Sequence, residues 1–119
     1  MSHSPQDVHK KVLGKKGETL VCKYLQKQGC KILNKNYRTP FGEADLIVMD
    51  KEEIVFVEVK TRTNEKYGTP REAVGENKRA RYYKIAKFFW AENGEEPNAR
   101  FDVAEVLENG EINYFKNAF

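Results

Sequence analysis

Asp45, Glu58 and Lys60 are the side chains of this sequence whose types and spacing could do chemistry together. Glu58 and Lys60 are two apart, so on a strand they share one face. Asp45 lies on the segment that would fold back against them. Two carboxylates and a lysine on one surface can hold a hard divalent cation and place a water or proton beside it. The rest of the composition narrows the options. The only two histidines, His3 and His9, both fall near the start. A Ser-His-Asp triad, a Cys-His dyad and a histidine-rich metal site are therefore poorly supplied. The two cysteines, Cys22 and Cys30, form no CxxC pair and read as small hydrophobes.

The hairpin that would bring the three residues together can be tested on its own pattern. With Lys51 and Glu52 as a two-residue turn, Asp50 opposes Glu53, Met49 opposes Ile54 and Ile47 opposes Phe56. On the other face Val48 meets Val55, Leu46 meets Val57 and Ala44 meets Val59. Apolar matches apolar throughout, and a slip of one residue would scramble both faces. The same register sets Asp45 opposite Glu58 and Glu43 opposite Lys60. Opposed like charges destabilise a sheet unless a cation lies between them. Lys60 can supply part of that charge, and Mg²⁺ or Mn²⁺ held by Asp45, Glu58, a backbone carbonyl and water would supply more. A plain ion-pair network of Glu58 and Glu43 with Lys60 is the other reading of the same spacing.

Around this hairpin the chain reads as one domain of 119 residues, 39% apolar and 33% charged. Residues 1–9 read as a flexible tail and 10–119 as a single domain. A helix is expected from about Lys10 to Gln28, with Leu20, Val21, Tyr24 and Leu25 as its apolar stripe and Gly17 one turn earlier, where a missing side chain implies close packing. Glu18 lies at the border of that stripe. Strands are expected at about 31–38, 42–49 and 53–61. Thr69-Pro70-Arg71-Glu72 reads as a short helix start. A longer helix from Asn77 to Glu92 carries Tyr82, Tyr83, Ile85, Ala86, Phe89 and Trp90, read as core packing. Two strands close the chain, 100–107 and 111–116, turned at Asn109-Gly110. The order α-β-β-β-α-β-β predicts an α/β fold, a central mixed sheet flanked by helices.

The net charge of +3 does not by itself identify a nucleic-acid binder. The clusters Lys10-Lys11-Lys15-Lys16, Lys60-Arg62-Lys66-Arg71 and Lys78-Arg79-Arg81-Lys84-Lys87 would have to converge on one cleft to form a phosphate-binding surface. No run approaches the ~18 apolar residues of a membrane helix, and no basic-then-apolar signal segment opens the chain. The expected setting is the cytoplasm, with no membrane partner.

Asp45 followed by Glu58-Val59-Lys60 after a hairpin resembles the PD-(D/E)xK nuclease signature shared by restriction endonucleases and archaeal Holliday-junction resolvases. Ala44 stands where that signature has proline. The chain more closely resembles the bacterial YraN family, an uncharacterised group predicted to be endonuclease-like. The matching stretches are Gly14 with Gly17-Glu18, Asn36-Tyr37-Arg38, Gly42-Glu43-Ala44-Asp45-Leu46-Ile47, Phe56-Val57-Glu58-Val59-Lys60-Thr61-Arg62 and Asn117-Ala118-Phe119.

The resemblance implies a restriction-endonuclease-like core and metal-dependent phosphodiester hydrolysis on DNA, with structure-specific cleavage as one form. It implies that Asp45, Glu58 and the Val59 carbonyl hold Mg²⁺ or Mn²⁺. Glu18 would hold a second ion or a metal-bound water, and Lys60 would orient or deprotonate the attacking water. Glu43 is either a partner of Lys60 or a turn residue. Arg62, Arg71, Lys78 and Arg81 are candidate nucleic-acid contacts, with ordinary surface charge as the alternative for Arg62 and Arg71. Two other functions compete: a catalytically inactive nucleic-acid-binding module, and a protein-interaction subunit of the same fold. The sequence leaves the oligomeric state open, with a dimer compatible.

Overall fold

The computed structural model describes residues 5–62, 76–94 and 98–118, with side chains from Lys16 in the first helix and from Asn77 in the second. The elements are α1 (Pro5–Lys27), β1 (Lys31–Thr39), β2 (Gly42–Asp50), β3 (Glu53–Arg62), α2 (Glu76–Asn93), β4 (Ala99–Leu107) and β5 (Ile112–Phe115). This is the expected α-β-β-β-α-β-β order, and the α/β fold is consistent with a restriction-endonuclease-like core. α1 begins earlier than the Lys10 that its apolar stripe suggested. Pro5 opens it, a position where the missing N–H costs no helical hydrogen bond. The short helix start at Thr69-Pro70-Arg71-Glu72 lies outside the described residues.

The five strands stand in sequence order, β1-β2-β3-β4-β5. Only β3 and β4 run parallel, with α2 in the connection between them; the other pairs are antiparallel. The β2–β3 turn is the two-residue turn expected, with Lys51 at φ 56° and Asp50 paired to Glu53.

The sheet is apolar on both faces, and among the described residues each face takes one helix. Val21, Cys22 and Leu25 of α1 pack on Leu46, Val48, Val55, Val57, Ala104 and Val106. Gly17 fits close packing: a Cβ built there would lie 2.8 Å from Thr61 Cγ2. On the opposite face Tyr82, Ile85, Ala86 and Phe89 of α2 cover Ala44, Ile47, Ile54 and Phe56. Phe56 meets Phe89 edge-on and stacks on Phe101. The α2 aromatics are thus mainly core, as their spacing predicted, while Tyr83 remains 52% exposed. Cys22 and Cys30 are buried free thiols.

A polar network sits at the far end of the sheet. Asp102 is fully buried and accepts from Arg100 Nε at 3.0 and 3.1 Å, from the Tyr114 hydroxyl at 2.6 Å and from the Asn117 amide at 2.9 Å. Arg100 also donates to Asp50 and Glu53 of the β2–β3 hairpin, at 3.0 and 3.1 Å. The Ala118 amide donates to the Phe101 carbonyl at 2.9 Å. The C-terminal Asn-Ala pair is thereby laced to β4.

Candidate functional site

The site forms where two strands part. The β2–β3 pairing follows the predicted register from Asp50–Glu53 to Leu46–Val57 and ends there. The expected backbone pairing of Asp45 with Glu58 is replaced by a side-chain contact: Asp45 Oδ2 accepts the Val59 N–H at 2.8 Å. β2 also breaks its alternation, since Ala44 packs with the α2-side core instead of following Leu46 and Val48 to the α1 side. Across from it, β1 has Asn36 at φ 52°, a left-handed position that asparagine tolerates better than most residues. The two irregularities lie near each other, because Lys35 pairs with Leu46 and Tyr37 with Ala44.

Five elements then supply the side chains, α1, α2 and the first three strands. β3 contributes Glu58 and Lys60, on the face occupied by Phe56 and Ile54. α2 contributes Lys78 and Tyr82, four residues apart and so on one helix face. Lys78 Nζ lies 2.5 Å from Glu58 Oε1. Burial pushes the Tyr82 phenol well above its ordinary range, and the charges of Glu58 and Asp45 and a hydrogen bond to Glu58 add to the rise. Glu18 arrives from α1. With its amide oriented to face the two carboxylates, Asn36 Nδ2 donates to Glu18 Oε1 at 3.1 Å and to Glu43 Oε1 at 2.9 Å.

The electrostatics follow from this crowding. Burial raises the Asp45 carboxyl from 3.8 to about 6, and the negative charges of Glu58, Glu18 and Glu43 add to the rise; the Val59 N–H opposes it. Lys60 is shifted the other way. Burial lowers it, contact with the neighbouring Lys78 ammonium lowers it further, and Glu58 partly offsets both. A carboxyl held up and a lysine held down thus share one neighbour, Glu58, whose charge raises both.

The structure thus brings together Glu18, Asp45, Glu58, Val59 and Lys60 as one neighbourhood. Glu43 belongs to it through Asn36 and also faces Arg38, at 3.7 Å. The candidate nucleic-acid contacts divide. Lys78 is spent on Glu58. Arg62 faces Glu105 of β4 at 3.6 Å, and its side chain is mostly buried. Arg81 is exposed and lies over the start of β2, where a Cβ on Gly42 would come within 2.8 Å of its Cδ. Arg71 lies outside the described residues. Sequence reasoning did not assign Asn36 or Tyr82 to the site. Tyr82 offered no signal beyond its place in an apolar stripe. Asn36, an asparagine at the midpoint of a strand, was a visible anomaly.

As for metal-binding capacity, no three His, Cys, Asp or Glu side chains form a metal-sized cluster among the described residues. A cation here would rest on two carboxylates completed by main chain and water. That donor set is all oxygen, which suits Mg²⁺ or Mn²⁺ and not zinc. The excess negative charge around Asp45 is what such an ion would relieve.

Residues 17–106 match the profile of the uncharacterised protein family UPF0102. A UPF0102 protein of Caldanaerobacter subterraneus subsp. tengcongensis is 44% identical over 119 residues, covering 94% of this chain and 98% of the relative. One from Syntrophus aciditrophicus is 46% identical over 110 residues, covering 89% and 87%. One from Clostridioides difficile is 42% identical over 114 residues, covering 94% and 100%.

Proposed function

Since the chain belongs to the uncharacterised protein family UPF0102, the family to which the sequence resemblance pointed, its chemistry has to be read from its own residues, and we propose metal-dependent hydrolysis of phosphodiester bonds in nucleic acid, with DNA as the substrate. The observation that carries this reading is the Asp45 side chain on the Val59 N–H, where β2 leaves β3. It holds a half-buried carboxylate close to Glu58, on the strand that also carries Lys60.

Asp45 and Glu58, with the Val59 carbonyl, would hold Mg²⁺ or Mn²⁺, and Glu18 would take a metal-bound water or a second ion. The ion's contribution, when bound, is Lewis acidity at the scissile phosphate. Lys60 orients the attacking water and takes its proton, a role favoured by burial and by its cationic neighbour. Asn36 holds Glu18 and Glu43 side by side, fixing the α1 carboxylate relative to β2. The Tyr82 hydroxyl orients Glu58 from the core side.

A second reading draws on the Lys78–Glu58 ion pair, which satisfies Glu58 without metal. It makes the protein a nucleic-acid-binding module of the same fold with no catalysis. The deciding experiment is a cleavage panel in Mg²⁺ and in Mn²⁺ on single-stranded, duplex, flap and four-way substrates. Asp45→Asn and Glu58→Gln serve as controls. Metal-dependent cleavage lost in both variants supports hydrolysis. Binding without cleavage on every substrate supports the second reading.

A further inference from the structure

Lys78 is engaged in a way that the proposed chemistry does not use. It reaches from the first turn of α2 to Glu58 Oε1 at 2.5 Å, and both side chains are largely buried, 16% and 13% exposed. Glu58 receives a second donor from the same helix, the Tyr82 hydroxyl. Beside Lys78 lies Lys60, close enough for the two side chains to contact. Two ammonium groups in contact repel each other, so Lys78 stays there because of the Glu58 carboxylate it faces. The Lys78 ammonium already offsets Glu58 with no ion present. A divalent cation bound at the same carboxylate would meet that ammonium at close range, in surroundings too buried for solvent to screen their repulsion fully.

We propose that Lys78 is a tethered stand-in cation, holding Glu58 in its working position until a divalent ion arrives and competing with that ion for the carboxylate. The inference rests on the metal-binding reading of Asp45 and Glu58. Metal loading then requires Lys78 to release Glu58, which a four-carbon side chain on the first turn of a helix can do by changing rotamer, without moving the sheet. Lys78 is in this account a positioning residue. It sets the threshold of metal occupancy and keeps the empty site from being disrupted by its own carboxylates.

The test compares wild type, Lys78→Met and Lys78→Arg by calorimetric titration with Mn²⁺ and by melting with and without Mn²⁺. Lys78→Met is expected to bind Mn²⁺ about tenfold tighter than wild type. Metal-free it should melt lower than wild type, and Mn²⁺ should raise its Tm more. Lys78→Arg, which keeps a cation, should bind close to wild type. If Lys78→Met does not fold, Lys78→Gln replaces it with the same expectation. Wild-type binding of Mn²⁺ with equal or weaker binding by the neutral variant overturns the proposal and leaves the metal site standing. No Mn²⁺ binding by any of the proteins at millimolar metal overturns the proposal and the metal site together.

Discussion

At Asp45 a single carboxyl group carries two opposed demands. The Val59 N–H stabilises its charge, while burial and the Glu58, Glu18 and Glu43 carboxylates oppose it and win, raising it from 3.8 to about 6. Between those two values the folded protein binds more protons at this site than the unfolded chain. Stability without metal therefore falls as pH rises from about 4 to about 6, and the loss is complete above that. Allowing for water entry and relaxation, the ionised group costs on the order of 1–2 kcal/mol. Asp45→Asn should remove this slope: its melting temperature relative to wild type should rise across that pH range in chelator-treated protein. Parallel profiles would mean that Asp45 is not strained. Lys60 makes the complementary case. Lys60→Ala removes a cation that competes with metal, so Mn²⁺ affinity measured by calorimetry should stay level or increase. A large loss of affinity would show that Lys60 organises the carboxylates instead.

Elements make the site possible by failing to be regular. The β2–β3 register was legible from Leu46 to Asp50 because both faces are apolar and any slip would bury charge. Beyond Leu46 that logic stops, since polar residues no longer fix the pairing. The sequence pattern therefore set Asp45 opposite Glu58, whereas in the structure its side chain takes the strand's place. Gly17 was legible for the same reason as the hairpin: an empty position on an apolar stripe needs a close neighbour, and Thr61 is that neighbour. The Lys78–Glu58 contact was not legible, because a lysine in a basic run gives no sign of turning inward. Nor was the Arg100–Asp102 network, although a buried face reading Arg100, Asp102, Ala104, Val106 holds two charges that require partners. Asp102 joins β4 to β5 and the C-terminal residues, and Arg100 ties β4 to the β2–β3 hairpin. Asp102→Ala would leave the buried Arg100 short of a partner and should cost about 3–5 kcal/mol. It should lower Tm by roughly 10 °C or more, with hydrogen exchange accelerating first in the four-residue β5 and at Ala118. A Tm within 2–3 °C of wild type would contradict that role, the range being about that expected for surface changes.

For the whole molecule, the question is where its modest positive charge is free to act. Lys78 and Arg62 face Glu58 and Glu105, whereas Arg79, Arg81, Lys84 and Lys87 of α2 are exposed. Arg81 overlies the start of β2, and Lys84 sits 5.7 Å over the Phe41 ring beside it. Three or four phosphate contacts from such a face give a plot of log affinity against log salt with a slope of about −3. Arg81→Ala with Lys84→Ala should reduce that slope by about 2 in a fluorescence-anisotropy titration. A salt-independent affinity would favour a protein partner for this surface. Among the described residues no helix is long and apolar enough to cross a membrane. Single-turnover cleavage of a labelled DNA substrate at saturating Mn²⁺, with wild type compared against Lys60→Ala, is the decisive measurement for the proposed hydrolysis. Lys60→Ala is expected to bind the metal and to cleave ~10²-fold or more slowly, the scale of losing a general base. Cleavage by Lys60→Ala at the wild-type rate would contradict it.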